Sequence, residues 1–324
     1  MIALIVGQSS IGTHRDRVSV SGSGLGLAAI AVLMFSGTVP ATRIAVATID
    51  PVVVGVGRSV LGAVIAIGYL WAIRAPWPSR RQLPGIAVIA VGAGVGFGWF
   101  TSEALRTVSA THGSIVIGLL PMLTALFGVL RTGTRPRLMF WLATAAGTAV
   151  VVWYAASGVQ AQPLGIGDLY LLAALLLAAA AYAEGGRLAQ TMPGGQVIAW
   201  GLVVALPLSA PLTVVALLSS PFTPGVASLA ALAYMAVFSV FVGMVLWYRG
   251  MGLAGVARVS ATQLAQPLLS VMWSWLLIGE PLRPQTIVAA ILVLVCVATA
   301  QRARVAAAAV RSAGGSGSAG PERS

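Results

Sequence analysis

The sequence predicts an all-α polytopic membrane protein of ten transmembrane helices, built as two inverted five-helix repeats. Three observations lead there. Hydrophobic residues make up 58% of the 324-residue chain and charged residues 8%, against roughly 25% charged in soluble domains. Apolar runs recur near residues 24–46, 52–73, 84–101, 107–130, 138–156, 164–186, 196–219, 228–248, 256–278 and 285–301. Each is close to the length that crosses about 30 Å of hydrocarbon at about 1.5 Å per residue, and none alternates as barrel strands do. Finally, Pro121 and the turn Gly133-Thr134 are echoed 146 residues later by Pro267 and Gly279-Glu280, and the same offset pairs Ala104-Leu105 with Gly250-Met251 and Thr124 with Ser270. An internal repeat of this kind fixes the architecture before any other detail.

These features divide the chain into a cytoplasmic lead (1–22), a first repeat (23–156), a second repeat (164–301) and a flexible cytoplasmic tail (302–324) rich in Ala, Gly and Ser. Orientation follows from arginine, because the chain contains no lysine. With the N-terminus inside, the inner stretches hold fifteen arginines, among them Arg74, Arg80, Arg81, Arg131, Arg135, Arg137, Arg187, Arg249 and Arg258, and the outer ones hold Arg43, Arg106 and Arg283. That asymmetry obeys the positive-inside rule, and it accounts for most of the net charge of +12. The basic residues are scattered over loops, so they form no face for nucleic acid. Five helices per copy send the second copy into the membrane from the opposite side. Inverted units of this sort are a common construction of secondary transporters, with the solute site between the copies near the midplane.

Absences narrow the chemistry. Without lysine there is no phosphate loop of the usual form and no Schiff-base lysine. One cysteine, Cys296, and two distant histidines, His14 and His112, provide no intrachain disulfide and no structural zinc site. No cofactor is expected. A Gly-x-Ser-x-Gly elbow is lacking too, so an intramembrane enzyme has little support; a passive channel or a lipid flippase stays open.

The order Ala104-Leu105-Arg106, Ser109-Ala110, Pro121, then Ala257-Arg258, Pro267 and Leu276-Leu277-Ile278-Gly279-Glu280 resembles the EamA-type transporters of the drug/metabolite transporter superfamily over about residues 25–301, with an arginine, Arg58, in the second helix. The first copy departs from the pattern by carrying Gly133-Thr134 where the second has Gly279-Glu280. The resemblance implies ten helices, both termini cytoplasmic, and export of small metabolites or drugs across the plasma (inner) membrane without ATP.

Candidate site residues are the polar ones inside apolar runs, because a charge at the bilayer centre costs about 2.5 to 3.5 kcal/mol. Arg58 lies about two turns, or roughly 10 Å, into a helix that Asp50 and Pro51 begin; it either holds an anionic group of a solute or snorkels outward. Ser260, Gln263, Pro267, Ser270 and Ser274 fall on one face of the ninth helix at steps of three and four. The 146-residue offset places Ser114, Pro121 and Thr124 on the matching face of the fourth. These two stripes, with Gln266, line either a shared cavity or a close packing seam. Breakers at Gly37 to Pro40 and Gly185-Gly186 interrupt the first and sixth helices, which makes Glu184 a solute or proton contact, or else the ion-pair partner of Arg187. Trp99 is a cavity aromatic or an interfacial anchor. Glu103, His112 and Asp168 are candidates for coupling export to protons. The fifth and tenth helices, mainly apolar, support the bundle or a homodimer contact.

Overall fold

A computed structural model describes residues 14–132, 138–156, 165–255, 259–260 and 262–315. Among the described residues the chain is helical and contains no strand. Seven helices among the described residues are long and apolar enough to cross a membrane: α1 (Gly22–Ala45), α2 (Val53–Ala72), α3 (Leu83–Thr107), α4 (Ala110–Gly128), α6 (Ile166–Leu188), α7 (Gly194–Ser219) and α8 (Val226–Ala254). Three apolar helices are shorter: α5 (Leu138–Tyr154), α9 (Gln263–Ile278) and α10 (Pro284–Thr299).

Packing follows the 146-residue repeat. Helix α1 packs on α8 as α6 packs on α3, and α1 packs on α9 as α6 packs on α4. In the same way α2 meets α8 as α7 meets α3, while α2 meets α7, α4 meets α9 and α5 meets α10, each pairing an element with its own counterpart. Small residues make the tightest crossings. A Cβ at Gly55 would collide with the Gly98 carbonyl, and one at Gly98 with the Gly55 carbonyl, so α2 and α3 touch backbone to backbone.

Two spans share an irregularity that the sequence hides. Residues Ala90–Gly96 of α3 and Met235–Gly243 of α8 are π-helical. Shifting the first stretch by 146 gives 236–242, inside the second. A third π-helical stretch, Val53–Gly57, leads directly into Arg58 and has no counterpart in α7. A π turn carries more residues than an α turn, so it rotates the side chains that follow it. Arg58 is 2% exposed, whereas Val204, its counterpart one repeat later, is 38% exposed.

The ends and breaks differ from expectation in places. The first helix starts at His14, inside the expected lead, and the last runs from Pro284 to Gly315 where a flexible tail was expected. Its extension is alanine-rich, and alanine is the best helix former. Helix α6 passes through Gly185-Gly186 without interruption. Gly185 makes room for a neighbour, since a Cβ there would strike the ring of Tyr248. In α1, by contrast, the helix is divided at Gly37 into His14–Ser36 and Thr38–Ala45. The turn Gly133-Thr134 and the pair Ala257-Arg258 lie outside the described residues.

Candidate functional site

Among the described residues, eight helices line one cavity. Its wall takes Thr38 from α1, Arg58 from α2, Phe97 from α3, Ile117 from α4, Tyr182 from α6, Ile198 from α7, Ser239 from α8 and Gln266 from α9. Helices α5 and α10 contribute nothing to it, consistent with their packing on each other at the periphery.

Arg58 is the only charged residue in that wall among the described residues. Its guanidinium lies 5.7 Å from the centre of the Phe97 ring, and Nη1 donates to the Met235 sulfur at 3.4 Å, a weak acceptor. Nε, also buried, has no hydrogen-bond partner. The side chain therefore does not snorkel, and it makes no ion pair among the described residues. A buried charge without a counter-charge costs several kcal/mol.

Every acid whose side chain is described is committed elsewhere. Asp50 caps α2 by accepting the Val52 N–H at 2.8 Å and also takes the Ser220 hydroxyl. Glu103 pairs with Arg106 at 3.5 Å, on the exposed end of α3. Asp168 meets the His112 ring at 2.7 Å and accepts the Gly165 N–H. Glu184 takes the Arg187 Nε–H at 2.8 Å and lines a separate recess with Pro84, Gly85, Val88 and Phe127. Glu280 accepts two backbone N–H groups, those of Ala110 at 2.9 Å and Thr111 at 2.8 Å. Gly279 enables that last contact. It ends α9 at φ 73°, a left-handed conformation that suits glycine, and so turns Glu280 onto the start of α4. Ser109 takes the His112 N–H there, so the first three amides of α4 are all satisfied.

The polar stripes of α4 and α9 do meet. Ser114, Pro121, Gln263, Gln266, Pro267 and Ser270 line a slot beside the main cavity, and Gln266 and Ile117 border both. Gln263 donates from Nε2 to Gln266 Oε1 at 3.3 Å. The proline in α1 explains a further link. Pro40 has no N–H for the Ser36 carbonyl one turn back, and the Ser270 hydroxyl donates to that carbonyl at 2.8 Å, while Trp273 Nε1 donates to the Ser36 hydroxyl at 3.0 Å.

Other candidates sit away from the cavity. Trp99 packs in the cluster where α2, α3 and α7 meet and stacks on Phe100. Thr124 is buried with an unpartnered hydroxyl outside both hollows. His112 lies against Asp168 and the ring of Tyr154, away from Arg58. Residues that sequence reasoning passed over include Phe35, Tyr182 and Met244, together with Thr38 and Ser239, whose hydroxyls bridge α1 and α8 at 2.7 Å inside the wall. Only Thr38 carried a signal, as part of the Gly37 to Pro40 break.

The EamA-like transporter family model matches this chain twice, at residues 22–155 and 165–300. The chain is 40% identical over 274 residues to the uncharacterized transporter YdeK of Bacillus subtilis (strain 168), covering 84% of this chain and 95% of that protein. A solved crystal structure shares the fold at a TM-score of 0.63 and 20% identity, covering 86% of this chain and 96% of the other. Two family matches, a transporter relative along nearly its whole length and many apolar helices make this a multi-pass membrane protein, and the chain belongs to the EamA-like transporter family.

Proposed function

We propose that this protein is a secondary transporter that exports a small organic solute across the plasma membrane by alternating access, its ten spans forming two inverted copies with both termini cytoplasmic. The observation that carries the reading is the cavity wall, to which α1–α4 of one copy and α6–α9 of the other all contribute. A solute held there touches both copies at once, so rocking one copy against the other changes the side to which it is exposed. The arginine asymmetry supports the orientation. The paired π-helical stretches in α3 and α8 support a moving element, since such turns gather at functional sites.

Inverted membrane vesicles loaded with the protein test the reading with labelled amino acids, nucleobases and dyes, with and without a proton gradient. Export predicts accumulation of at least one solute inside the vesicles against its gradient, and Arg58→Ala and Gln263→Ala lowering that accumulation while leaving membrane insertion unchanged. Equilibration without accumulation points to a passive channel, and parental transport by both variants removes the cavity from the path.

A further inference from the structure

We propose that the cavity is a site for an organic monoanion, a carboxylate or a similarly compact oxyanion on an apolar body, with Arg58 as its counter-ion; this rests on the transport reading above. The argument starts from charge balance. Arg58 lines the hollow, is buried, has no ion-pair partner among the described residues, and carries a buried Nε–H without an acceptor. All five acids whose side chains are described are held by partners of their own, at 2.7 to 3.5 Å. The remaining two, Asp16 and Glu322, stand near the chain ends, far in sequence from Arg58. No carboxylate among those described is left to neutralise the guanidinium, and we assign the missing charge to the occupant.

Geometry favours the same conclusion. A guanidinium presents a rigid fork that matches two oxygens of a carboxylate, and here it is held in place. The Gly55 and Gly98 backbones press α2 onto α3, and the Phe97 ring lies against the guanidinium carbon. Around it the wall is mostly apolar, with Phe35, Val39, Ile117, Leu120 and Met244, and its other polar groups are neutral: Thr38, Tyr182, Ser239 and Gln266. A cation would face Arg58 with nothing to offset repulsion. A zwitterion would leave its ammonium without an acid, and a dianion would leave its second charge without a base. One negative charge on an apolar frame satisfies the whole surface.

The test uses the purified full chain in detergent and a panel built on shared frames, from acetate to indole-3-acetate, each carboxylate compared with its alcohol, amine and amino-acid counterparts. Thermal unfolding at increasing concentration gives apparent affinities, and uptake into proteoliposomes gives transport. The expected result is stabilisation by carboxylates of suitable frame in preference to their alcohols and amines. Arg58→Gln is expected to weaken carboxylate binding roughly ten- to hundred-fold, the loss typical of a charged hydrogen bond, and to abolish the preference for anion over alcohol. Arg58→Lys keeps the charge without the fork, so it retains the preference at reduced affinity; a merely structural role for Arg58 would leave the preference unchanged in Arg58→Gln. Equal or better binding of alcohols or amines, or an unaltered anion preference in Arg58→Gln, overturns the counter-ion assignment and leaves the transport reading standing. If carboxylates fail while another class is transported, the same assignment falls alone. If no class binds and none is transported, both readings fall together.

Discussion

Glu280 bonds two amides at the start of α4, and removing its carboxylate should loosen that end of the bundle by a calculable amount. In Glu280→Ala the Ala110 and Thr111 N–H groups lose the acceptors they now meet at 2.9 and 2.8 Å. Losing a helix N-cap acceptor costs typically about 1 kcal/mol, and losing a negative charge at a helix N-terminus adds about 0.3 to 1 kcal/mol. With the second amide also unsatisfied, the total is about 2 kcal/mol. Because the contact joins the end of α9 to the start of α4, that energy acts on the separation of the two helices there. A shift of 2 kcal/mol multiplies the open population roughly thirtyfold. Cys296 is the only cysteine, so Cys296→Ala provides a clean background in which Ser114→Cys, at the slot between α4 and α9, reports opening through its reaction with a small hydrophilic thiol reagent. The reaction should accelerate by about that factor in Glu280→Ala and by less in Glu280→Gln, whose amide oxygen still accepts one N–H. Equal rates in all three proteins would refute the reasoning and leave Glu280 a surface residue of no mechanical consequence.

Three further outcomes follow from the packing. Gly55→Ala drives a methyl group into the Gly98 carbonyl, a backbone atom that cannot step aside; it should destabilise the bundle by about 1 to 3 kcal/mol in thermal unfolding, while Gly68→Ala, which meets nothing within 4 Å, should be close to neutral. A double-mutant cycle with His112→Gln and Asp168→Asn should return a coupling energy of about 0.5 to 3 kcal/mol, as their 2.7 Å contact requires, and a value near zero would show that the pair does not hold α4 to α6. Tyr154→Phe removes a hydroxyl that bonds Thr286 at 3.0 Å across α5 and α10 and should cost about 1 kcal/mol in chemical unfolding.

Sequence legibility here was uneven for physical reasons. Spans were readable because hydrocarbon demands long apolar runs, and the repeat was readable because Pro121 and Pro267 interrupt helices at the same phase. Arg58 stood out because a charge in such a run is costly, yet only its surroundings decide between snorkelling and burial, and those come from Gly55, Gly98 and Phe97 on two helices. The π-helical stretches were invisible, since Ala90–Gly96 and Met235–Gly243 have the same small and apolar residues as ordinary spans. Tyr182, Phe97 and Phe35 carried no signal because aromatic rings in a core and in a cavity wall have identical local patterns. Gly185-Gly186 misled in the opposite direction: glycine pairs mark both broken helices and close contacts, and here the ring of Tyr248 takes the space.

The copies are alike in plan but unequal at their turns. Position 280 brings a carboxylate, which fastens α9 to α4, whereas position 134 brings a threonine and therefore no negative charge. For the rocking motion proposed above, that carboxylate is a bolt on one door: occupancy of the interior has to supply the energy that draws it.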